Sequence, residues 1–232
     1  MGDVKPLLLI TGTRREGSAV AGLQGVTVLA GGSDAQGLEA RLEQALTAQD
    51  GVAHDGVAQG AAGIISFGMG GALAPDLKLG DWVIGSRVIG AVEAPCDADW
   101  QARLLAAFPQ AHSGSVYADG RLIADVAEKR VLHAQYGAVL ADMESHISAR
   151  VALRHGLPFA VLRCVSDEAA SALPPAISVA MRGDGSIAPG AMLGSILAQP
   201  GQVAALVSTG LRFNRAYRVM ARGAQAALLA LR

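Results

Sequence analysis

The sequence predicts a three-layer α/β/α fold around a central, twisted, mixed sheet that is mainly parallel. Three features carry that prediction. Short apolar runs of strand length recur along the 232 residues, and several are apolar on both faces, as a sheet covered by helices on each side requires. Capped helical patterns alternate with these runs, the order expected of crossover connections. Glycine-rich segments follow three of the runs, where an open α/β sheet places its ligands.

The first run, Leu7 to Thr11, begins after Pro6 and ends at Gly12. It is too short to span a membrane and lacks the charged start and small-residue cleavage site of a signal peptide, so it reads as a buried strand. Val26 to Ala30 reads as the second strand, and Asp34 to Ala48 as a helix capped by Ser33 or Asp34. Gly63 to Phe67 and Trp82 to Ile89 are the next strands, followed by helices over Asp97 to Ala107 and Asp125 to Tyr136. Ala138 to Ala141 is a strand. Met143 to His155 is a helix that stops at Gly156, and after Pro158 the chain re-enters the sheet over Phe159 to Val165. Ala169 to Pro189, rich in Pro and Gly, is the loosest stretch and reads as a lid or peripheral excursion. An amphipathic helix over 201–230 closes the chain. With no repeat and no Ser/Pro-rich linker, one domain over 1–232 is expected.

Composition narrows the function. Apolar residues make up 51% of the chain and mean hydropathy is +0.35, which provides a sizeable core and disfavours disorder. Only 17% of residues are charged and the net charge is -1. That balance lacks the basic excess with which proteins neutralise nucleic-acid phosphates, so no nucleic-acid partner is expected. Cys96 and Cys164 form no Cys-x-x-Cys pair; reduced thiols in the cytoplasm and no metal site are the expectation.

The glycine-rich segments are Thr11-Gly12-Thr13-Arg14-Arg15-Glu16, Gly31-Gly32-Ser33-Asp34 and Ser66-Phe67-Gly68-Met69-Gly70-Gly71. Their backbone N–H groups can approach an anion or a hydroxyl, and Arg14 and Arg15 have the bidentate geometry that suits phosphate. Taken singly, each segment is also an ordinary tight turn. Leu73 stands where Gly-x-Gly-x-x-Gly needs its last glycine, which counts against an NAD(P)-dependent enzyme.

Three further segments belong together: Gly71-Ala-Leu-Ala-Pro-Asp-Leu-Lys-Leu-Gly-Asp-Trp-Val-Ile84, Ala141-Asp-Met-Glu-Ser-His146, and Leu157-Pro-Phe-Ala-Val-Leu-Arg-Cys-Val-Ser-Asp167. In this order and spacing, over residues 5 to 170, the chain resembles the purine nucleoside phosphorylase and methylthioadenosine/adenosylhomocysteine nucleosidase superfamily. Asp142-Met-Glu-Ser-His146, His155-Gly-Leu-Pro-Phe159 and Leu173-Pro-Pro-Ala176 are most similar to its hopanoid-associated phosphorylases. That subgroup is linked to removal of adenine from adenosylhopane, a nucleoside with a lipid at C5′, in hopanoid biosynthesis. The resemblance implies a homo-oligomer, a small-molecule nucleoside substrate that carries a lipid, and no metal or organic cofactor, with phosphate as a candidate co-substrate.

The chemistry gives the matching residues roles. Loss of a purine from ribose passes through an oxocarbenium-like state, and the departing base must gain a proton. Asp167 ends an apolar strand, where desolvation favours a neutral carboxyl that can donate to N7, with Ser166 orienting it. Glu144, at a helix start, would accept from the ribose hydroxyls and stabilise the cation, and Met143 would pack on the sugar. Phe67, Gly68, Gly70 and Gly71 complete the expected substrate site. Alone, Glu144 is a carboxylate favoured by the helix dipole and Asp167 a strand-end cap.

Glu16 aligns with the carboxylate that activates water in the nucleosidases. Gly12, Arg14, Arg15, Gly32 and Ser66 stand where phosphorylases hold phosphate, but Ile65-Ser66 replaces an arginine there. Hydrolysis and phosphorolysis both remain open on the residues. His146 reads as a surface or packing histidine. The closing helix carries Arg212, Arg215, Arg218 and Arg222 on one face, as a docked helix with a solvated stripe or as a peripheral contact with an anionic membrane. A nucleoside-binding protein without activity is the rival from another class.

Overall fold

The computed structural model describes residues 5–31, 34–47, 61–180 and 188–231. Its order is β1 (Leu7–Thr11), α1 (Arg14–Val20), β2 (Val26–Ala30), α2 (Ala35–Thr47), β3 (Gly63–Ala72), β4 (Trp82–Gly90), β5 (Ala94–Pro95), α3 (Ala98–Ala107), β6 (His112–Ala118), α4 (Val126–Tyr136), β7 (Ala138–Asp142), α5 (Ser145–His155), β8 (Phe159–Asp167), α6 (Pro175–Ala180), α7 (Pro189–Ala198) and α8 (Val203–Ala230). A single 3-10 turn, Pro200–Gln202, joins the last two helices.

The sheet is mixed, as expected. β1 pairs in parallel with β2 and β3, and β3 in parallel with β8. β8 runs antiparallel to β4, which pairs in parallel with β6; β6 pairs in parallel with β7, and β7 returns antiparallel to the end of β3. Five strands thus close a ring, with β1 and β2 extending from β3. Helices cover the sheet from two sides. One core cluster joins Leu38 and Leu42 of α2, and Ile147 and Val151 of α5, to Ile10, Ile64 and Val161. The other joins Trp100 and Leu104 of α3, and Ala216, Met220 and Ala224 of α8, to Leu9, Ile65, Ile84 and Leu162.

Local chemistry sets the ends of the helices. Asp97 accepts from the N–H of Trp100, and Asp125 from those of Ala127 and Glu128, so the helices expected from these aspartates start one residue after them. Gly156 ends α5 in the left-handed region, at φ 61°, where a side chain would be strained.

Three differences from the sequence expectation bear on function. The third glycine-rich segment is not a turn: β3 continues through Ala72, paired with β8. Glycine serves close approach here, since a Cβ at Gly70 would lie 2.5 Å from Leu140 Cδ2 and 2.9 Å from the Ala141 carbonyl oxygen of β7. The first segment contains a helix, α1, capped by a reciprocal box between Thr13 and Glu16. β6 escapes the apolar-run criterion because it begins His-Ser-Gly-Ser, although β4 and β7 flank it on both sides. The Ala169 to Pro189 stretch contains α6 and the start of α7; Ser33, Ala48 and Gly32 lie outside the described residues.

Candidate active site

The ends of β1, β3, β7 and β8 meet at one cavity. Gly12, Glu16, Gly70, Gly71, Met143, Glu144, Ser166 and Asp167 all line it, although they run from residue 12 to residue 167 of the chain. Lys129 and Arg121 join them, together with the apolar side chains of Leu173, Ile177 and Phe213.

Glu16 is buried and held at three points. Its Oε2 accepts from the Thr13 N–H at 2.6 Å and the Thr13 hydroxyl at 2.9 Å, and its Oε1 from the Met69 N–H at 2.7 Å. The capping box that starts α1 therefore also aims this carboxylate. Glu144 faces it across Gly12. A Cβ on Gly12 would lie 3.1 Å from Glu16 Oε2 and 3.2 Å from each Glu144 oxygen, so one point touches both carboxylates. Burial, the largest influence, pushes the Glu144 pKa up to about 8; Arg163 opposes the rise, and the Asp142 and Glu16 charges add to it.

Arg163, in the middle of β8, is fully buried. Its Nε donates to Asp142 Oδ2 at 2.9 Å and its Nη2 to Ser66 Oγ at 2.6 Å, while Glu144 Oε2 lies 3.5 Å from Nη2. Asp142 in turn accepts from the N–H groups of Glu144 and Ser145 at the start of α5. One arginine thus couples β3, β7, β8 and α5 beneath the cavity. Gly68, at φ +150°, leaves it room: a Cβ there would come 2.7 Å from Arg163 Nη1 and 2.8 Å from Glu16 Oε1.

At the other side, Asp167 does not stand in an apolar surround alone. Lys129 of α4, fully buried, places Nζ 2.5 Å from Asp167 Oδ2 and also donates to the backbone oxygens of Glu168 and Ser171. The apolar surround expected for Asp167 therefore includes a buried lysine partner at the same depth. Ser166 Oγ lies 2.7 Å from Asp167 Oδ1, in the orienting position expected of it.

Other expected residues lie elsewhere. Phe67 is buried in the core cluster of Leu9 and Met220, its ring 6.2 Å from that of Trp82, and does not reach the cavity. Ser66 is interior, its hydroxyl engaged by Arg163 and Ser145. Arg15 is exposed, bonded to Asn214 and stacked over Tyr217 of α8, and Arg14 is exposed outside the cavity lining. His146 packs against Gly120 with its pKa lowered by burial. Sequence reading missed Lys129 and Arg163; their signal is a lone cation inside an apolar helix face or strand, legible only once its partner is known.

A family model, described as phosphorylase superfamily, matches residues 26–179. The chain belongs to the phosphorylase superfamily. The matched range contains Lys129, Glu144, Arg163 and Asp167, whereas Glu16 and the last two helices of this superfamily member lie outside it. No curated protein matches the sequence. Among solved structures, the fold is similar to a Helicobacter pylori MTAN mutant with 5′-methylthioadenosine in its active site, at 16% identity and TM-score 0.61, over 84% of this chain and 99% of that one. An S-adenosylhomocysteine nucleosidase from Streptococcus pyogenes, in complex with 5-methylthiotubericidin, gives 15% identity and TM-score 0.62, covering 100% of this chain and 95% of the other. A putative methylthioadenosine nucleosidase from Weissella paramesenteroides gives 20% identity and TM-score 0.60, over 85% and 97%.

Proposed function

We propose that this superfamily member cleaves the N-glycosidic bond of a 5′-substituted adenine nucleoside by hydrolysis. The observation that carries the proposal is the placement of Glu16 and Glu144 about one point beside Gly12, with the Lys129–Asp167 pair lining the same cavity. Met143 and Glu144 would hold the ribose, and the Glu144 charge would steady the oxocarbenium-like state. Water beside Gly12 would give a proton to Glu16 as its oxygen bonds C1′. The C1′–N9 electrons leave with adenine, which takes its proton from the Lys129–Asp167 pair.

Electrostatics favours water over phosphate. A phosphate dianion beside Gly12 would lie against oxygens of Glu16 and Glu144, and the cations lining the cavity are engaged: Lys129 by Asp167, and Arg121 by Asp119 and Glu128. Arg163, beneath it, is held by Asp142 and Glu144. Leu173, Ile177 and Phe213 suit an apolar 5′ substituent, and adenosylhopane is the nucleoside singled out by the hopanoid-type motifs. A homo-oligomer belongs to the same reading.

The test is adenine release from 5′-substituted adenosines with and without phosphate. Free ribosyl product in phosphate-free buffer supports the proposal. A strict need for phosphate with sugar 1-phosphate as product overturns the hydrolytic assignment, and absence of any adenine leaves a nucleoside-binding protein.

A further inference from the structure

α7 and α8 meet at an elbow, their axes bent by 113° across Pro200. No residue from Ala188 to Leu211 is charged. Nor does this segment bury its apolar side chains: none of the ten residues of α7 is buried, and Leu197 and Leu211 are 74% and 68% exposed. Leu193, Val203 and Val207 are exposed beside them. Scattered apolar side chains are ordinary on a surface, but a charge-free segment exposing five large ones is a contact surface.

The rest of α8 shows what kind. Ala216, Met220, Ala224 and Ala227 bury one face in the core. The outward stripe reads Ala204, Val207, Leu211, Arg215, Arg218 and Arg222, at helical spacings of three and four, and all six are exposed. It is apolar for its first turns and cationic afterwards. Beyond Asp184 the sequence has five arginines and no acidic residue, although the whole chain carries a net charge of -1.

We propose that this elbow docks on an anionic lipid bilayer, with the exposed leucines and valines in the interfacial zone and Arg215, Arg218 and Arg222 against headgroup phosphates. α7 and the apolar start of α8 are each about 15 Å long or less, well short of a hydrocarbon core of about 30 Å, so the elbow lies in the interface rather than across it. α8 carries these three exposed arginines and no acidic residue, which is the complement of an anionic surface. Docking also brings the apolar cavity residues Phe213 and Ile177 near the lipid. Phe213 is two residues beyond Leu211, and Gln202 at the elbow accepts from the N–H of Ala176, next to the cavity residue Ile177. A substrate with an apolar 5′ chain would reach the site from the bilayer; that consequence rests on the proposed reaction, whereas the docking does not.

Co-sedimentation with vesicles tests the docking without any turnover. Wild-type protein is expected on vesicles of phosphatidylcholine with phosphatidylglycerol, and far less on phosphatidylcholine alone. Arg215→Gln, Arg218→Gln and Arg222→Gln together weaken binding by about fivefold for each arginine. Leu197→Gln with Leu211→Gln reduces it by roughly tenfold or more, and this loss persists in high salt, where the arginine contribution is screened. Unchanged melting temperatures show that these exposed variants fold. Wild type that stays in solution, or binding indifferent to the leucine pair, overturns the proposal. So does a leucine pair that dissociates an oligomer while wild type ignores vesicles, since the elbow is then a subunit contact. Vesicle binding by a protein that releases no adenine keeps the docking and removes only the proposed reaction.

Discussion

Lys129 Nζ stands 2.5 Å from Asp167 Oδ2, with the lysine fully buried and the aspartate nearly so. α4 delivers the cation and β8 the anion, 38 residues later. A buried pair of this kind is costly to break and cheap to replace as a unit, because removing one partner leaves an uncompensated charge.

Lys129→Met and Asp167→Asn should each destabilise the protein by about 3–5 kcal/mol, measured by denaturant unfolding. The double variant should regain much of that stability. Activity should separate the roles: kcat should fall about 10²- to 10⁴-fold in either single variant and stay low in the double. Full turnover by Asp167→Asn would remove the pair from the chemistry.

Glu16→Gln should lower adenine release in phosphate-free buffer by about 10²- to 10⁴-fold, because the amide cannot take a proton from water. The amide oxygen can accept from Thr13 or from the Met69 N–H but not from both, so the melting temperature should also fall, and folding is checked separately from turnover. Turnover that survives the substitution and rises with phosphate would instead indicate phosphorolysis.

Gly12→Ala is a steric probe. The added methyl would sit 3.1–3.2 Å from oxygens of both Glu16 and Glu144, in the place assigned to water. A fall in kcat of about 10²-fold is expected, the size of effect produced by a displacement of about 1 Å at a reacting centre. Calorimetric binding of a nucleoside should weaken less than kcat; equal losses would mean that the methyl blocks the nucleoside itself.

Glu144 makes the protein sensitive to pH. Its pKa is raised from 4.5 in the unfolded reference to about 8 in the fold. Between these values the native state keeps a proton that the unfolded chain has released, so the unfolded state binds fewer protons. The stability due to this group is therefore full below pH 4.5 and is lost as the pH rises through about 8. The melting temperature of wild type should fall across that window relative to Glu144→Gln. Over the same window kcat/KM should rise, because steadying the cation needs the ionised form. A constant difference in melting temperature would show that Glu144 keeps its charge in the empty site.

Local features of this protein follow from spacing and side-chain chemistry alone. β1 and β2 have the bounds read from their apolar runs, Asp97 and Asp125 cap the helices expected after them, and Gly156 stops α5. These are contacts within a few residues, where spacing and side-chain chemistry suffice. The glycine-rich end of β3 and the polar start of β6 were not legible, because flanking strands hold them and no apolar pattern of their own does. The motif carboxylates Glu16, Glu144 and Asp167 could be named from the chain, but their charge environment could not. Only the tertiary structure put Lys129 on Asp167, Arg163 between Asp142 and Glu144, and Phe67 in the core instead of the cavity. The physical reason is that a buried charge is settled by its partner, and here the partners come from separate strands and helices brought together by the closure of the sheet.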